Sequence, residues 1–220
     1  MKNIIALFRA CLVGVLLAGA LPAAASTGKA PDVLVQDVTN EVLEIVRADK
    51  AIQAGDTRRV IELVDAKVLP HFDFRRMTML AVGRDWRQAS VAQQVKLTDA
   101  FRTLLVRTYS NALTQYRDQR IEFRPSRFSP ADTRVQVRTE VIQAGAQPIG
   151  IDYMLENGEQ GWKVFDVIVA GVSMVTNYRN DFVGRISRGG IDGLIRSLEE
   201  QNRSLAEKQG AGQGRADGGV

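Results

Sequence analysis

The sequence predicts an α+β fold in which helices pack onto an antiparallel sheet of four strands. Two observations support this prediction. Apolar residues recur at helical spacing up to about residue 119, and from Ile121 onwards the apolar residues alternate with a period of two. After the last strand the spacing becomes helical again, so that helices both precede and follow the sheet.

The helical spacing in the first half predicts four helices. Pro70 limits the second helix and Gly83 ends the third. Ser90 and Gln93 form a capping box that opens the longest helix, which is predicted over residues 91–119. After the last strand in the chain, two adjacent glycines divide a further helical stretch from a final amphipathic helix. The sequence contains no internal repeat and no linker that would divide it into domains.

Four segments have the pattern of consecutive strands: "IEFRPSRF", "TRVQVRTEVIQA", "QPIGIDYMLEN" and "WKVFDVIVAGVSMV". The second alternates valines with charged residues and therefore keeps one face in water. The last is apolar on both faces apart from Asp166. Strict alternation places Val164, Asp166 and Ile168 on one face and Phe165 and Val167 on the other. Such a strand is covered by protein on both faces, or by protein on one face and by a bound ligand on the other.

The N-terminus has the layout of a secretory signal peptide, with Lys2 and Arg9, an apolar stretch and a small-residue cleavage site. We predict cleavage after Ala25 and therefore export from the cytoplasm, which is compatible with a bacterial periplasm. Cleavage removes the single cysteine and leaves 27 basic against 25 acidic residues, a net charge of +2, so we expect no nucleic-acid partner. We predict one domain over residues 26–208 and a disordered tail over residues 209–220, which contains little apolar material.

The chemistry available for catalysis is limited. His71 is the single histidine, so a metal site with two histidines cannot form within one chain, and no thiolate remains after cleavage. Asp166 is either a base with a raised pKa or, as we favour, a structural carboxylate that accepts hydrogen bonds. Arginine-rich stretches such as "FRRM" and "GRDWR" either solvate a surface or recognise anionic groups; by charge, the candidates for recognition are Arg75, Arg76, Arg84 and Arg87.

Several stretches together resemble the periplasmic MlaC / toluene-tolerance (Ttg2D-like) family of phospholipid-binding proteins. They are "GRDWRQAS", "TYSNAL", "PIGIDYML", "WKVFDVIVAGVSMV" and "GGIDGLIRSLEEQ", and they occur in this order at family-like intervals. The resemblance runs from about Pro31 to Lys208. One departure is visible, because Ala170 stands where many family members have a glutamate.

The resemblance implies a twisted antiparallel sheet wrapped by helices that enclose an apolar lipid cavity. It implies a carrier that shuttles phospholipid between the outer-membrane Mla lipoprotein–porin complex and the inner-membrane Mla ABC-transporter complex with its substrate-binding-domain ring, and so maintains outer-membrane lipid asymmetry. It implies no enzyme activity, no catalytic residue, no metal and no cofactor other than bound phospholipid as cargo. We expect a monomer. The alternative is a non-enzymatic adaptor of the same transport system that carries no lipid.

Within such a cavity, seven side chains are predicted to contact lipid: Phe101, Leu105, Tyr109, Tyr153, Ile168, Val172 and Met174. They lie on the longest helix, on the third strand, and on or just after the last strand. Each of them also fits an ordinary core position, because apolar stripes at these spacings occur in any α+β domain. A charged residue in place of Tyr109 or Val172 separates the two possibilities, since a cavity wall would lose lipid with the fold intact and a core residue would lose stability.

Overall fold

The computed structural model describes residues 28–216. The predicted signal peptide lies outside the described residues. Six helices and two 3₁₀ turns precede the sheet: α1 Pro31–Ala48, α2 Lys50–Gln53, α3 Thr57–Lys67, the turn Leu69–His71, α4 Phe74–Val82, the turn Gly83–Arg87, α5 Val91–Tyr109 and α6 Asn111–Thr114. The sheet and the last helix follow: β1 Arg120–Phe123, β2 Arg134–Ile142, β3 Ile149–Gly158, β4 Gly161–Val169, β5 Val172–Ser173 and α7 Met174–Ala216.

The capping box at the start of α5 is confirmed. The Gln93 amide nitrogen donates to the Ser90 hydroxyl at 3.2 Å, and the Ser90 amide donates to the Gln93 side chain at 2.9 Å. The predicted length of this helix was wrong, because α5 ends at Tyr109 and the short α6 follows. The Thr114 hydroxyl bonds to the carbonyl and the side chain of Asn111, and such local hydrogen bonds compete with a continuing helix.

The strands form one antiparallel meander in the order β1-β2-β3-β4-β5. The sheet has five strands where the sequence predicted four, because the last apolar stretch turns back on itself. Ala170 and Gly171 have φ values of 49° and 82°, and Val169 pairs with Val172 across this two-residue turn. Positive φ at both central residues is the geometry of a tight β-hairpin.

A β-bulge in β4 changes which of its side chains share a face. Met154 pairs with Asp166 and Leu155 pairs with Val164, so that Phe165 is an extra residue on β4. Val164 therefore lies on the same face as Val167, and not with Asp166 as strict alternation predicted. We call this face, which also carries Tyr153, the inner face; Asp166 lies on the opposite, outer face.

The outer face of the first three strands is polar and rich in ion pairs. Arg124 contacts Glu140 at 2.6 Å, and Arg134 contacts Glu156 at the same distance. These pairs are partly exposed and each contributes about 1 kcal/mol or less to stability. The outer face of β2 therefore meets water, as its alternation of valines and charged residues predicted.

The buried apolar side chains form three separate clusters. The helical cluster joins α4, α5 and α7 around Phe101 and Phe182. The N-terminal cluster joins α1, α2 and α3 around Ile52. The sheet cluster packs Val35 of α1 against inner-face residues such as Leu155. Phe72 packs against both the helical and the sheet cluster and so joins these two at their margin.

Helix α7 consists of two segments that fold back on each other at Gly190, which has a φ of 64°. The Arg185 guanidinium reaches Ser197 at 2.6 Å across this kink, and the predicted break at the glycine pair is thereby confirmed. The second segment continues past the predicted domain end at Lys208. Its Gln209 side chain donates to the Arg107 carbonyl at 3.0 Å, a polar contact that composition does not reveal.

Candidate functional site

An apolar area at one end of the inner face lies outside the three clusters. Six of its side chains are neither buried nor packed against any of the three clusters: Ile121, Val141, Ile149, Ile151, Val169 and Val172. They are neighbours across the strands, since Val141 pairs with Ile121 and Ile149, and Val169 pairs with Ile151 and Val172. We call this area the open apolar face. An apolar area of this kind marks a surface that binds something.

Helix α1 connects the sheet cluster with the N-terminal cluster. Val35 packs on the sheet, whereas Val42 and Val46, two and three turns further on, are buried in the N-terminal cluster. The end of α1 is joined to the segment that leads into β1, because Arg47 donates to the Tyr116 hydroxyl at 2.6 Å. The two clusters share no buried side chain among the described residues. The open apolar face therefore belongs to a sheet whose helical cover is incomplete.

Tyr153 lies on the inner face beside the open apolar face. Burial raises the pKa of Tyr153 to about 12, yet the residue keeps accessible surface and is only half-buried. The phenol is therefore surrounded by protein atoms while part of the residue stays accessible. Among the described side chains its hydroxyl has no hydrogen-bond partner.

Three of the predicted lipid-contacting residues lie in the helical cluster. Phe101 is fully buried and meets the rings of Tyr178 and Phe182 edge-on, at centroid distances of 4.9 and 5.1 Å. Leu105 is buried in the same cluster and Met174 packs against it. These contacts are the packing of an ordinary core.

The other four predicted residues are divided between the two faces and the surface. Tyr153 and Val172 lie on the inner face, and Val172 is 59% exposed at its edge. Ile168 lies on the outer face, opposite Asp152, because of the bulge at Phe165. Tyr109 is 43% exposed at the end of α5. Burial raises the pKa of the neighbouring Tyr178, and its hydrogen bond with Tyr109 acts in the same direction.

The structure thus brings only Tyr153 and Val172 together at the open apolar face. Sequence reasoning missed the other five members of that face as site residues, although a period of two places Ile149 and Ile151 on the same side of their strand as Tyr153. The alternation shows the direction of these side chains. It does not show how far they are buried, since that depends on contacts between distant segments.

Asp166 has a structural role at the start of α7. Its carboxylate accepts hydrogen bonds from the amides of Val167 at 2.9 Å and Val175 at 3.0 Å, and from the Ser173 hydroxyl at 2.5 Å. It is 9% exposed, and a carboxylate at a helix N-terminus is also favoured by the helix dipole. These contacts favour the structural interpretation of Asp166 over a catalytic base.

Other groups that could carry chemistry are dispersed. His71 is half-buried, and burial, together with nearby Lys163, lowers its pKa. In the part of the chain that the structure describes, no group of three or more His, Cys, Asp or Glu residues could hold a metal ion. Arg76 contacts Glu156 at 3.2 Å and lies over the Phe165 ring, so it serves packing rather than recognition.

Two surface concavities lie between helices. The first, of about 460 Å³, lies between α3, α5 and α7, and the second, of about 430 Å³, lies between α5 and α7. Most of the residues that line them are polar or charged. Examples are Arg58 and Glu62 in the first concavity and Lys96 and Glu199 in the second. Neither lining includes a predicted lipid-contacting residue. Among the described residues, no helix combines the length and apolar character needed to cross a membrane.

Comparison with known proteins places the chain beside a defined set of relatives. Residues 36–200 match the family described as "MlaC protein". The chain is 27% identical over 173 residues to the "Intermembrane phospholipid transport system binding protein MlaC" of Haemophilus influenzae, and the match covers 77% of this chain and 81% of that protein. It is 27% identical over 177 residues to the "Toluene tolerance protein ttg2D" of Pseudomonas putida, with 80% and 82% covered.

A solved structure is also similar. It is the phospholipid-binding protein from Ralstonia solanacearum in complex with a phospholipid, and it is 39% identical to this chain. The match covers 80% of this chain and 98% of that one, with a TM-score of 0.75. The two chains therefore share their fold over nearly the whole of the solved structure.

Proposed function

Because the chain belongs to the MlaC protein family, whose sequence pattern matches residues 36–200, we propose that it is a phospholipid carrier that shelters acyl chains against its open apolar face. The observation that carries the proposal is that six neighbouring apolar side chains on the inner face keep accessible surface and belong to none of the three clusters. The names of its relatives, one a phospholipid transport binding protein and one bound to phospholipid, support it.

The physical requirement for a carrier is large. At about 0.8 kcal/mol for each buried methylene, two acyl chains with roughly 30 methylenes cost on the order of 24 kcal/mol to leave in water. The net affinity is far smaller, because association and ordering have their own costs. Acyl chains on the open apolar face would also complete the cover that α1 leaves unfinished. Valine and isoleucine walls suit this cargo, since they contact methylenes without demanding a single geometry.

In this proposal the site differs from the one expected from sequence. Tyr153 and Val172 remain predicted lipid contacts, and the other five open-face residues join them. Phe101, Leu105 and Met174 support the cargo only indirectly, through the helical cluster. Ile168 and Tyr109 lie away from the inner face or at the protein surface, so their substitution tests the sequence-based assignment separately.

We further propose that the carrier works in the periplasm as a monomer. It exchanges phospholipid between the outer-membrane Mla lipoprotein–porin complex and the inner-membrane Mla ABC-transporter complex, and so maintains outer-membrane lipid asymmetry. The family assignment supports this role. The carrier needs no cofactor and no bond chemistry in this role, and Asp166 is already engaged as a helix cap.

The alternative function is an adaptor that binds the same complexes without carrying lipid. The dense packing around Phe101, a residue that sequence reasoning assigned to the cavity, favours this alternative. The two functions differ in one measurable property. A carrier purified without detergent retains lipid, and an adaptor does not.

Native mass spectrometry tests the proposal directly. The mature chain, residues 26–220, is purified from a bacterial periplasm without detergent, and its mass is compared before and after denaturing lipid extraction. Stoichiometric phospholipid supports the carrier and reports the head group and the number of acyl chains. A folded, lipid-free protein that also takes up no added phospholipid would contradict the proposal and favour the adaptor.

A further inference from the structure

Four arginine side chains gather around the 3₁₀ turn Gly83–Arg87 that joins α4 to α5. Arg75 comes from α4, Arg84 and Arg87 from the turn itself, and Arg179 from α7. All four are exposed, and we call them the arginine patch. The patch is separate from the residues of the open apolar face.

The backbone of the turn provides a seat for one of these arginines. Gly83 has a φ of 69°, and a Cβ atom at this position would lie 3.1 Å from the Arg179 guanidinium. A side chain at residue 83 would therefore strain the backbone and displace Arg179 as well. Glycine at this position allows the guanidinium to lie directly against the turn.

Trp86 orients a second arginine. The Arg75 guanidinium lies 5.7 Å from the centre of the Trp86 ring, within the range of a cation–π interaction. Trp86 is 5% exposed, so its ring is held by the core below it. Two of the four cations are thus held in place by packing rather than by carboxylates.

Within the described residues, the arginines of the patch are not paired with carboxylates. Among residues 28–216, none of its four side chains forms an ion pair, whereas Arg76 and Arg185 on the same helices pair with Glu156 and Asp181. The acidic residue of the turn, Asp85, accepts a hydrogen bond of 3.4 Å from the side-chain amide of Gln88 and forms no ion pair with these arginines. Arginines that are oriented but unpaired favour an external carboxylate, which fits the two-pronged donor geometry of a guanidinium.

We propose that the arginine patch is the docking surface for an acidic patch on a protein partner. A bilayer surface attracts basic segments through their charge density and through inserted aromatic or long apolar side chains. Here Trp86 is buried, and the neighbouring exposed apolar residue is Val91, which is 80% exposed. Arginine is enriched at protein–protein interfaces relative to the rest of the protein surface. This inference rests on the proposed function, in which membrane complexes must recognise the carrier.

Charge reversal at the turn tests the docking surface. The mature chain with Arg84→Glu and Arg87→Glu is compared with a control of equal charge, Arg58→Glu and Arg127→Glu, whose exposed side chains lie elsewhere. Affinity is measured by surface plasmon resonance for the purified inner-membrane and outer-membrane Mla complexes. We expect at least a tenfold weaker Kd for one complex in the patch variant and less than a threefold change in the control. Equal affinities for both variants, or binding of neither complex by the wild-type chain, would overturn the proposal.

Two further measurements distinguish the possible failures. Flotation with protein-free phosphatidylglycerol vesicles should show equal vesicle binding by the patch and control variants. If only the patch variant lost vesicle binding, the patch would be a membrane-binding surface and the proposal would be overturned. Bound phospholipid is measured on the same samples, and we expect the patch variant to keep its lipid. A lipid-free wild-type chain whose binding still depends on the patch would refute the carrier function and leave the docking surface intact. Urea unfolding of each variant shows whether it is folded.

Discussion

At the scale of single residues, the end of β4 determines how the chain enters its last helix. The Asp166 carboxylate accepts three hydrogen bonds. One comes from the amide of the next residue, Val167, and two come from around the start of α7, from the Ser173 hydroxyl and the Val175 amide. We expect Asp166→Ala to lower the free energy of unfolding by about 2–3 kcal/mol, because it leaves buried donors without an acceptor. Asp166→Asn should cost about half as much, since one acceptor oxygen remains.

Urea unfolding followed by circular dichroism measures both changes. The control is Asp118→Asn, an exposed aspartate in the loop before β1, which should be within about 0.5 kcal/mol of wild type. If the Asp166 variants were as stable as this control, the carboxylate would not be a structural cap and a functional role would have to be reconsidered.

Ala170 holds a backbone conformation that suits glycine. Its φ of 49° makes it the one non-glycine residue with positive φ among the described residues. We expect Ala170→Gly to raise the free energy of unfolding by up to about 1 kcal/mol, because relief of the left-handed strain exceeds the entropy cost of glycine. Thermal unfolding measures the gain. The control is Ala131→Gly, in a turn without positive φ, which should leave the free energy of unfolding unchanged or lower it. A similar decrease for Ala170→Gly would show that the backbone at residue 170 is not strained.

Tyr153 should make stability fall at high pH. Its pKa is 10 in the ordinary state and about 12 in the folded chain, so the unfolded chain releases this proton first. The contribution is fully present below pH 10 and is lost as the pH rises towards 12, by about 1 kcal/mol per pH unit. Urea unfolding between pH 9 and 11.5 should show a shallower decline in Tyr153→Phe. Parallel declines in the two proteins would show that the phenol is not buried.

At the scale of elements, the bulge in β4 and the alternation of β2 determine what reaches the inner face. Without the extra residue Phe165, Ile168 would lie on the inner face, beside the other apolar residues of its strand. With it, Asp166 turns towards the start of α7 and Ile168 towards Asp152. Strand β2 has no bulge, so its neighbouring residues Val141 and Ile142 lie on opposite faces and form a matched pair.

An aspartate placed on each face of β2 should separate the lipid site from the rest of the sheet. Val141 and Ile142 are both half-buried, and Ile142 lies across from Arg120 on the outer face. We expect Val141→Asp to lower co-purified phospholipid at least tenfold, because an unpaired charge beside acyl chains is strongly disfavoured. Ile142→Asp should retain lipid. Lipid extraction with a circular dichroism check measures both, and equal lipid content in two folded variants would refute the inner-face site.

At the scale of the whole molecule, the proposed carrier function predicts that bound lipid adds to the stability of the sheet. A ligand that covers the open apolar face binds only the folded chain and therefore stabilises it. At 100 times Kd we expect a gain of about 2.7 kcal/mol, which corresponds to an increase in Tm of roughly 5–10 °C for a domain of this size. Calorimetry of delipidated and reloaded protein measures the difference. An unchanged Tm at confirmed full loading would argue that lipid does not complete the core.

The sequence by itself determined the α+β class, the capping box at Ser90, the break at the glycine pair and the direction of the β2 and β3 side chains. These features depend on local chemistry and on a period of two, which neighbouring residues suffice to define. The family resemblance likewise needed only motifs in order.

Only the tertiary structure decided which apolar residues are core and which are open. Phe101 and Val141 are both apolar and in regular elements, yet Phe101 is fully buried against α7 whereas Val141 is only half-buried and outside the three clusters. The bulge at Phe165 and the fold-back at Gly190 depend on pairing between segments that are distant in sequence. Burial is a property of such long-range contacts, so the sequence proposed a site shared between the longest helix and the sheet, and only the tertiary structure separated its buried residues from its accessible ones.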